Sequence, residues 1–203
     1  EIVPALLARM DDDADGDAGG GKNNSLEGLK QVLRKQPKIL ASVLPKLASP
    51  PMTASALSTL SALSLVAGAA LPPHLTIIFP PLLDAMASAD EGLVLAATDA
   101  ATSVLKAVPN DAHYLLIPEV IGGLRDDREQ IRASACVLCG VFAAHAPSYV
   151  PTDDVPRLIE GLFGLFCDAD TQVVSNAWQA LCVVMGTVGK EDQGVYLRDV
   201  RAG

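Results

Sequence analysis

A glycine-rich segment near the start of the chain has the residue types of a phosphate-binding loop. Residues 16–23, GDAGGGKN, nearly match the pattern G-x-x-x-x-G-K-[ST]. Such a loop follows a buried strand and ends in a hydroxyl residue that ligates magnesium. Here Asn23 stands in place of the hydroxyl residue, no strand-like run precedes the segment, and neighbouring aspartates would repel a nucleotide. The sequence therefore argues against nucleotide binding.

The same part of the chain has the carboxylate spacing of a calcium-binding loop. Asp11, Asp13 and Asp15 fall at positions 1, 3 and 5 of such a loop, and a glycine follows at position 6. Position 12 should carry a glutamate that binds the ion through both oxygens, but Lys22 stands there. We interpret residues 11–24 as an acidic, glycine-rich loop, and a calcium- or nucleotide-binding protein is the alternative of another class.

The cysteines and histidines show no catalytic or metal-binding arrangement in the sequence. Cys136 and Cys139 form a C-x-x-C pair inside a predicted helix, with no second Cys or His pair at zinc spacing and no preceding strand. We expect both thiols to pack in the core, because free cysteine is among the most buried residue types. No nucleophile motif lies near the histidines, which are His74, His113 and His145. The sequence predicts no catalytic residue, metal, cofactor or small-molecule substrate.

Charge is unevenly distributed along a chain whose formal net charge is −9. Residues 1–21 contain six acidic residues and one basic residue, whereas residues 22–46 contain six basic residues and one acidic residue. The overall negative charge argues against direct DNA binding, because it repels phosphates over most of the surface. The basic block is a candidate docking patch for ribosomal RNA or an acidic partner, with an ordinary solvated face as the alternative. Its candidate residues are Lys30, Arg34, Lys35 and Lys38.

A second basic group surrounds a predicted turn between two helices. It consists of Arg125, Arg128 and Arg132, and its charge suits an acidic protein partner. For Arg132 a second role is open, in which the guanidinium pairs with an aspartate of a neighbouring repeat. The sequence does not decide between these two roles.

The elements that must position these residues repeat along the chain. An apolar residue, a proline, a short aliphatic run and a polar turn recur 36 to 41 residues apart, at Pro4, Pro45, Pro81, Pro118 and Pro156. Two-helix repeats of the HEAT and armadillo type have periods of about 40 residues. We therefore predict an all-α chain, a right-handed α-solenoid of about five helical hairpins, with a proline kink in each first helix.

Each predicted repeat contains two amphipathic helices. The helix pairs are 2–10 with 25–36, 37–48 with 53–68, 72–88 with 91–108, 111–125 with 127–145, and 153–167 with 170–188. The repeats are 1–36, 37–68, 72–108, 111–145 and 153–188, within a single array fragment at 1–203 whose residues 189–203 begin the next repeat. Asp90, Asp127 and Asp170 stand where second helices begin and can accept the free backbone N–H groups. Trp178 and Phe142 lie in apolar stripes and are predicted to be buried.

One long uncharged stretch raises the question of membrane insertion. No Asp, Glu, Lys or Arg occurs from Leu47 to Leu83, but prolines interrupt this stretch repeatedly. Between the prolines, a serine stripe and an aliphatic stripe follow opposite sides of one helix. The stripes are Ser55, Ser58, Ser61 and Ser64, and Leu57, Leu60, Leu63 and Val66. This pattern predicts a helix packed within the protein and no membrane contact.

Several segments resemble, in their order and spacing, one family of HEAT-repeat proteins. The chain is similar to the C-terminal HEAT region of the large ribosome-associated activator of the general-control kinase, the kinase that phosphorylates translation initiation factor 2. The similar segments are LPKLASPP (44–51), SLVAGAAL (64–71), IRASACVLCGVF (131–142), LIEGLFGLFCDAD (158–170) and VVSNAWQAL (173–181). The resemblance covers most of the chain, and the loop at 11–24 is the main departure from it.

This resemblance implies a non-catalytic scaffold that associates with stalled ribosomes and captures the kinase through the kinase's RWD domain. It implies activation of the kinase during amino-acid starvation and ribosome stalling, and a cytoplasmic, ribosome-associated location. Four unevenly spaced cysteines also suit a reducing cytosol. The Arg125, Arg128 and Arg132 group is then the candidate kinase contact. A generic HEAT-repeat adaptor in transport or phosphatase assembly is the alternative function.

Overall fold

The structure, a computed structural model, describes residues 19–145, 155–191 and 193–194. Within these ranges the chain is all-α, as the repeat pattern predicts, with nine α-helices and no strand. The predictions for the helix at 2–10, for the aspartates of the calcium-like pattern and for residues 195–203 lie outside the described residues.

Between residues 37 and 187, every described α-helix lies inside one of the helix spans predicted from the sequence. The helices are α1 (Gly19–Lys35), α2 (Leu40–Leu47), α3 (Ala54–Ala67), α4 (Leu75–Met86), α5 (Glu91–Ala107), α6 (Ile117–Leu124), α7 (Glu129–His145), α8 (Val155–Gly164) and α9 (Thr171–Thr187). Short 3-10 helices cover Pro37–Ile39, Gly68–Ala70, Pro72–His74, Asn110–Leu116 and Leu165–Cys167. The division into five repeats stays a prediction.

Helix α1 begins earlier than its sequence pattern indicates. It starts at Gly19, so residues 19–24 of the predicted loop at 11–24 are helical. A glycine inside a helix costs about 1 kcal/mol relative to alanine. Once a helix has nucleated, however, each added residue gains a backbone hydrogen bond. This gain offsets the cost of the glycines, so α1 can extend through them.

The chain divides into two compact units, the first containing residues 1–85 and 90–109 and the second containing residues 86–89 and 110–203. In the first unit, α3 packs against α5, and both α1 and α2 pack against α3. The predicted aliphatic stripe of α3 is confirmed at Leu57, Leu60 and Leu63, which are fully buried.

The predicted serine stripe of α3 also contributes to the interior of this unit. Ser64 is buried and donates its hydroxyl to the backbone carbonyl of Leu60 at 2.7 Å. The hydroxyl groups of Ser61 and Ser103, on α3 and α5, lie 2.7 Å apart. Serine can face a neighbouring helix here because its own helix or a second hydroxyl satisfies its hydrogen bond.

In the second unit, α7 is the central helix. It packs against α6 and α9, while α8 packs against α6 and α9. Phe142 of α7 is buried, as predicted, and its ring forms a T-shaped pair with the buried His113 ring, with centroids 5.8 Å apart. The candidate arginines lie on the turn between α6 and α7 and in the first turn of α7.

The prediction of a proline kink in every first helix is wrong for two repeats. Pro45 lies inside α2, and Pro81 lies inside α4. Pro118 and Pro156, however, are the second residues of α6 and α8. In the first turn of a helix the backbone N–H has no intrahelical acceptor, so proline is accommodated there without a break.

Two of the three predicted helix caps are confirmed. Asp90 accepts hydrogen bonds from the backbone N–H groups of Gly92 and Leu93, and Asp170 accepts those of Gln172 and Val173. None of the helices among the described residues has both the length and the apolar character that crossing a bilayer requires.

Candidate partner-binding site

The turn between α6 and α7 is organised by the carboxylate of Asp126, not by Asp127 as the sequence suggested. Asp126 Oδ1 accepts the backbone N–H of Arg128 at 2.9 Å and its Nε at 3.0 Å. These hydrogen bonds from Arg128 hold the pKa of Asp126 below its usual range. The carboxylate therefore closes the turn as α7 begins at Glu129.

Arg132 joins this turn to the turn that follows α8. Its Nε and Nη2 donate to Asp168 Oδ2 and Oδ1 at 2.7 and 3.0 Å. Its Nη1 donates to the backbone carbonyls of Asp126 and Asp127, each at 2.9 Å. The hydrogen bond from Arg132, together with one from the backbone N–H of Asp170, lowers the pKa of Asp168.

The structure therefore separates the three arginines that the sequence grouped. Arg132 is mostly buried and uses its guanidinium inside the molecule, which is the second of the two roles considered from the sequence. Arg125 and Arg128 are exposed on the turn that Arg132 braces. Two cations on a fixed turn suit recognition of an acidic protein surface, because less conformational entropy is lost on binding.

The second candidate site is the α1 basic cluster, which we define as Lys30, Arg34, Lys35 and Lys38. Lys30 is half-buried and lies 3.4 Å from the carboxylate of Glu27, and the other three side chains are exposed. This cluster belongs to the first compact unit, whereas the α6–α7 turn belongs to the second. Its positive charge stands in a chain that is acidic overall.

The C-x-x-C pair is part of the protein core, as predicted. Cys136 and Cys139 are fully buried, and burial raises the pKa of each thiol to about 12. Protonated thiols at such positions are poor metal ligands and poor nucleophiles. Within the described ranges, no three side chains of His, Cys, Asp or Glu converge in a way that would hold a metal ion.

The prediction that Trp178 is buried is wrong. Trp178 was expected in the core, but it is 60 % exposed. Its ring lies beside Phe166, with centroids 5.8 Å apart, and Phe166 in turn contacts Phe163 at 5.2 Å. Trp178 lies in an apolar stripe of α9, which is typical of a buried position. The sequence does not reveal whether another element covers that side of the helix, and among the described residues none does.

Comparison of sequences relates the chain to a family of HEAT-repeat proteins. The family model described as "Stalled ribosome sensor GCN1-like, HEAT repeats" matches residues 39–203. Protein ILITYHIA of Arabidopsis thaliana is 34 % identical over 178 residues, covering 87 % of this chain and 7 % of its own length. The stalled ribosome sensor GCN1 of Homo sapiens is 28 % identical over 186 residues, covering 89 % of this chain and 6 % of its own length.

A relative with a different description is similarly close. The eIF-2-alpha kinase activator GCN1 of Dictyostelium discoideum is 31 % identical over 199 residues, covering 97 % of this chain and 7 % of its own length. The chain thus spans only 6 to 7 % of the length of these relatives.

Solved structures of distant sequence share the fold. A chain from "Structural Basis of Microtubule Plus End Tracking by XMAP215, CLIP-170 and EB1" aligns with a TM-score of 0.72 at 16 % identity, over 98 % of this chain and 87 % of its own. A chain from "Crystal structure of computationally designed armadillo repeat proteins for modular peptide recognition" aligns with a TM-score of 0.50 at 18 % identity, over 98 % and 88 %. These similarities concern the fold alone, and they confirm the predicted α-solenoid class.

Proposed function

Because this chain belongs to the family of stalled ribosome sensor GCN1-like HEAT repeats, we propose that it is a non-catalytic scaffold of translational control. It binds the RWD domain of the initiation factor 2 kinase and the ribosome in the cytoplasm, and so promotes kinase activation during amino-acid starvation and ribosome stalling. The family match over residues 39–203 carries the proposal. One relative is described as a kinase activator and another as a stalled ribosome sensor, which supports the two partners.

The α6–α7 turn is the proposed kinase contact. Arg125 and Arg128 are exposed there, and the turn that carries them is held by Asp126 and Arg132. An acidic patch on the RWD domain would meet two cations whose backbone is already fixed. Exposed charges of this kind act mainly on association rate and specificity, with a few buried contacts supplying affinity.

Titration calorimetry of the full chain with the isolated RWD domain tests this contact. We expect binding by the unaltered chain and a loss of affinity of at least about tenfold in an Arg125→Glu, Arg128→Glu double variant, because two attractive charges become repulsive. Lys106→Glu is the matched control, since Lys106 is exposed in α5 of the other unit. Failure of the folded, unaltered chain to bind the RWD domain would disprove the kinase contact.

The α1 basic cluster is the proposed ribosome contact. Arg34, Lys35 and Lys38 are exposed and close in sequence, and Lys30 lies one helical turn before Arg34. A local group of cations attracts phosphate groups to one place, while the acidic remainder of the chain repels them. Ribosomal RNA presents such phosphates, so the cluster would set the side of the first unit that meets the ribosome.

A further inference from the structure

The connection between α2 and α3 contains the only serine or threonine of the sequence that is directly followed by a proline. Helix α2 ends at Leu47 and α3 begins at Ala54, and Ser49, Pro50 and Pro51 are exposed between them. The residue before a proline is disfavoured in the helical region and favours extended backbone. This connection therefore offers an exposed hydroxyl group in a segment that favours the extended form.

A hydroxyl group in this setting has the features that proline-directed serine kinases select. Such a kinase binds an extended substrate and offers no acceptor for the backbone N–H of the residue after the serine. Proline has no N–H, so it leaves no donor unpaired there. Ser42 is also exposed, and its hydroxyl also donates to a backbone carbonyl, that of Ile39 at 2.8 Å. Ser42 lies inside α2 and precedes Val43, however, so it lacks both features.

The Ser49 hydroxyl group also holds the end of α2. It donates to the backbone carbonyl of Pro45 at 2.7 Å, whereas the backbone N–H of Ser49 donates to the carbonyl of Lys46 at 3.4 Å. The hydroxyl thus takes the place that the N–H of residue 49 would have in a continued helix. A phosphate ester at this oxygen has no such proton to donate, and it carries a charge of about −1.5 to −2 at pH 7.

Helix α2 has few backbone hydrogen bonds to keep its end closed. It is eight residues long, and Pro45 cannot donate a backbone hydrogen bond to the carbonyl of Ala41. Leu47 and Met52 are buried on either side of Ser49, so a kinase reaches the whole segment only when the helix end opens. Short helix ends of this kind are among the regions that open locally at low free-energy cost.

We propose that Ser49 is a phosphorylation site for a proline-directed serine kinase and that the phosphate loosens the C-terminal turn of α2. In this reaction the Ser49 oxygen attacks the γ-phosphorus of ATP and the bond from that phosphorus to the bridging oxygen breaks. ADP leaves, and the hydroxyl proton passes to the catalytic aspartate of the kinase. The product loses the hydrogen bond to Pro45 and places negative charge at the negative end of the helix dipole. Lys46 is exposed in the same turn, and water screens its attraction to the phosphate, so it offsets only part of this loss.

Phosphorylation of the full chain by a purified mitogen-activated protein kinase, with Mg²⁺ and isotope-labelled ATP, tests the site. We expect incorporation of phosphate into the unaltered chain and into the matched control Ser42→Ala, and its loss in Ser49→Ala. Pro50→Ala keeps the hydroxyl group but should also lose most of the incorporation, because the residue after the serine then carries an N–H. Incorporation that persists in Ser49→Ala overturns the proposal. So does a lack of incorporation by a kinase that phosphorylates a Ser-Pro peptide in the same assay.

Amide hydrogen exchange resolved by NMR tests the effect on α2. The backbone N–H of Ala48 donates to the carbonyl of Leu44 at 2.8 Å. It should exchange about fivefold faster in the phosphorylated chain, because a hydrogen bond is lost and an unfavourable charge is added. The backbone N–H of Val108, which donates to Val104 at 3.0 Å at the end of α5, is the matched control and should keep its rate.

Treatment of the phosphorylated chain with a phosphatase should restore the slower exchange of Ala48. Unchanged exchange of Ala48 after phosphorylation would contradict the loosening of the helix end. Slower exchange would also contradict it, since the phosphate would then hold the turn closed through Lys46.

Discussion

Arg132 holds two turns with a single guanidinium group. Its planar fork reaches both oxygens of Asp168, and its remaining terminal nitrogen reaches two backbone carbonyls of the α6–α7 turn. Lysine carries the same charge but has only one nitrogen and no fork, so it cannot satisfy both turns at once. The geometry therefore requires arginine at this position, and the positive charge alone is insufficient.

We expect Arg132→Lys to lower the free energy of unfolding by about 1–2 kcal/mol, because charge-assisted hydrogen bonds at a mostly buried position are lost. Urea unfolding followed by circular dichroism measures this change. Arg128→Lys is the matched control, since the Arg128 side chain is 60 % exposed and such exposed ion pairs contribute below about 1 kcal/mol. Equal losses in the two variants would show that the Arg132 contacts do not stabilise the fold.

The ion pair at Asp168 also makes stability depend on pH. The pKa of Asp168 is lowered from its ordinary value of 3.8, first by the hydrogen bond from Arg132. A carboxylate with a depressed pKa in the folded state stabilises the fold above its ordinary pKa, and this contribution is lost as pH falls through the lower, folded-state value.

Stability of the unaltered chain should therefore decrease as the pH drops below 3.8, the ordinary value for Asp168. Asp168→Asn should be less stable than the unaltered chain at neutral pH, and the difference should shrink on acidification. Urea midpoints measured at a series of pH values for both proteins give this comparison. A difference that is constant across the acidic range would contradict the assigned role of the carboxylate.

At the scale of helices, two glycines illustrate opposite requirements. Gly68 ends α3 with φ at +43°, a backbone conformation in which a side chain is strained. Gly186 lies inside α9, and a β-carbon added there would meet nothing within 4 Å. The first position needs glycine, whereas the second only tolerates it.

Substituting alanine at these two positions should change stability in opposite directions. Gly68→Ala should lower the free energy of unfolding by about 1 kcal/mol because of strain at positive φ. Gly186→Ala should raise it by about 0.5 kcal/mol, because alanine has the higher helix propensity. Thermal unfolding of the two variants checks the signs, and a stabilised Gly68→Ala chain would contradict the cap geometry.

Helices were predictable from the sequence where the signal is local. Asp90 and Asp170 precede an apolar periodic run at cap spacing, and both cap their helices as predicted. At the α6–α7 turn, two adjacent aspartates could each accept a backbone N–H near the start of α7. The spacing predicts Asp127, but the backbone N–H of Arg128 donates to Asp126. The same limit in locating helix starts applies to Pro118 and Pro156. A proline in the first turn causes no kink, whereas a proline a few residues further into the helix does, and the sequence does not fix the helix start that closely.

Side-chain environments were harder to predict because they depend on elements distant in sequence. Arg132 pairs with Asp168, 36 residues away in the chain, so the sequence could raise this pairing only as one of two roles. Cys136 is the eighth residue of α7 and Trp178 is the eighth residue of α9, yet Cys136 is buried and Trp178 is exposed. The difference arises because α9 covers α7, a fact that hydrophobic periodicity alone does not contain.

At the scale of the whole molecule, basic residues are concentrated in one part of an acidic chain. The formal net charge is −9, but the α1 basic cluster brings four cations together in the first unit. A uniformly acidic surface would be repelled by RNA at every orientation. A local basic cluster instead allows approach in one orientation, so ribosome binding through it should be strongly sensitive to salt.

Replacing Lys30, Arg34, Lys35 and Lys38 with glutamine should remove most of this sensitivity. Each cation that neutralises a phosphate releases a counterion, so four contacts predict a loss of affinity of about a hundredfold between about 50 and 200 mM salt. Co-sedimentation with purified ribosomes at several salt concentrations measures the slope for the unaltered chain, the fourfold variant and the single control Lys106→Gln. The control should keep the full slope, because Lys106 lies outside the cluster. An unchanged slope in the fourfold variant would mean that ribosomes bind elsewhere on the chain, and the Arg125→Glu, Arg128→Glu variant would then test whether the α6–α7 turn makes that contact.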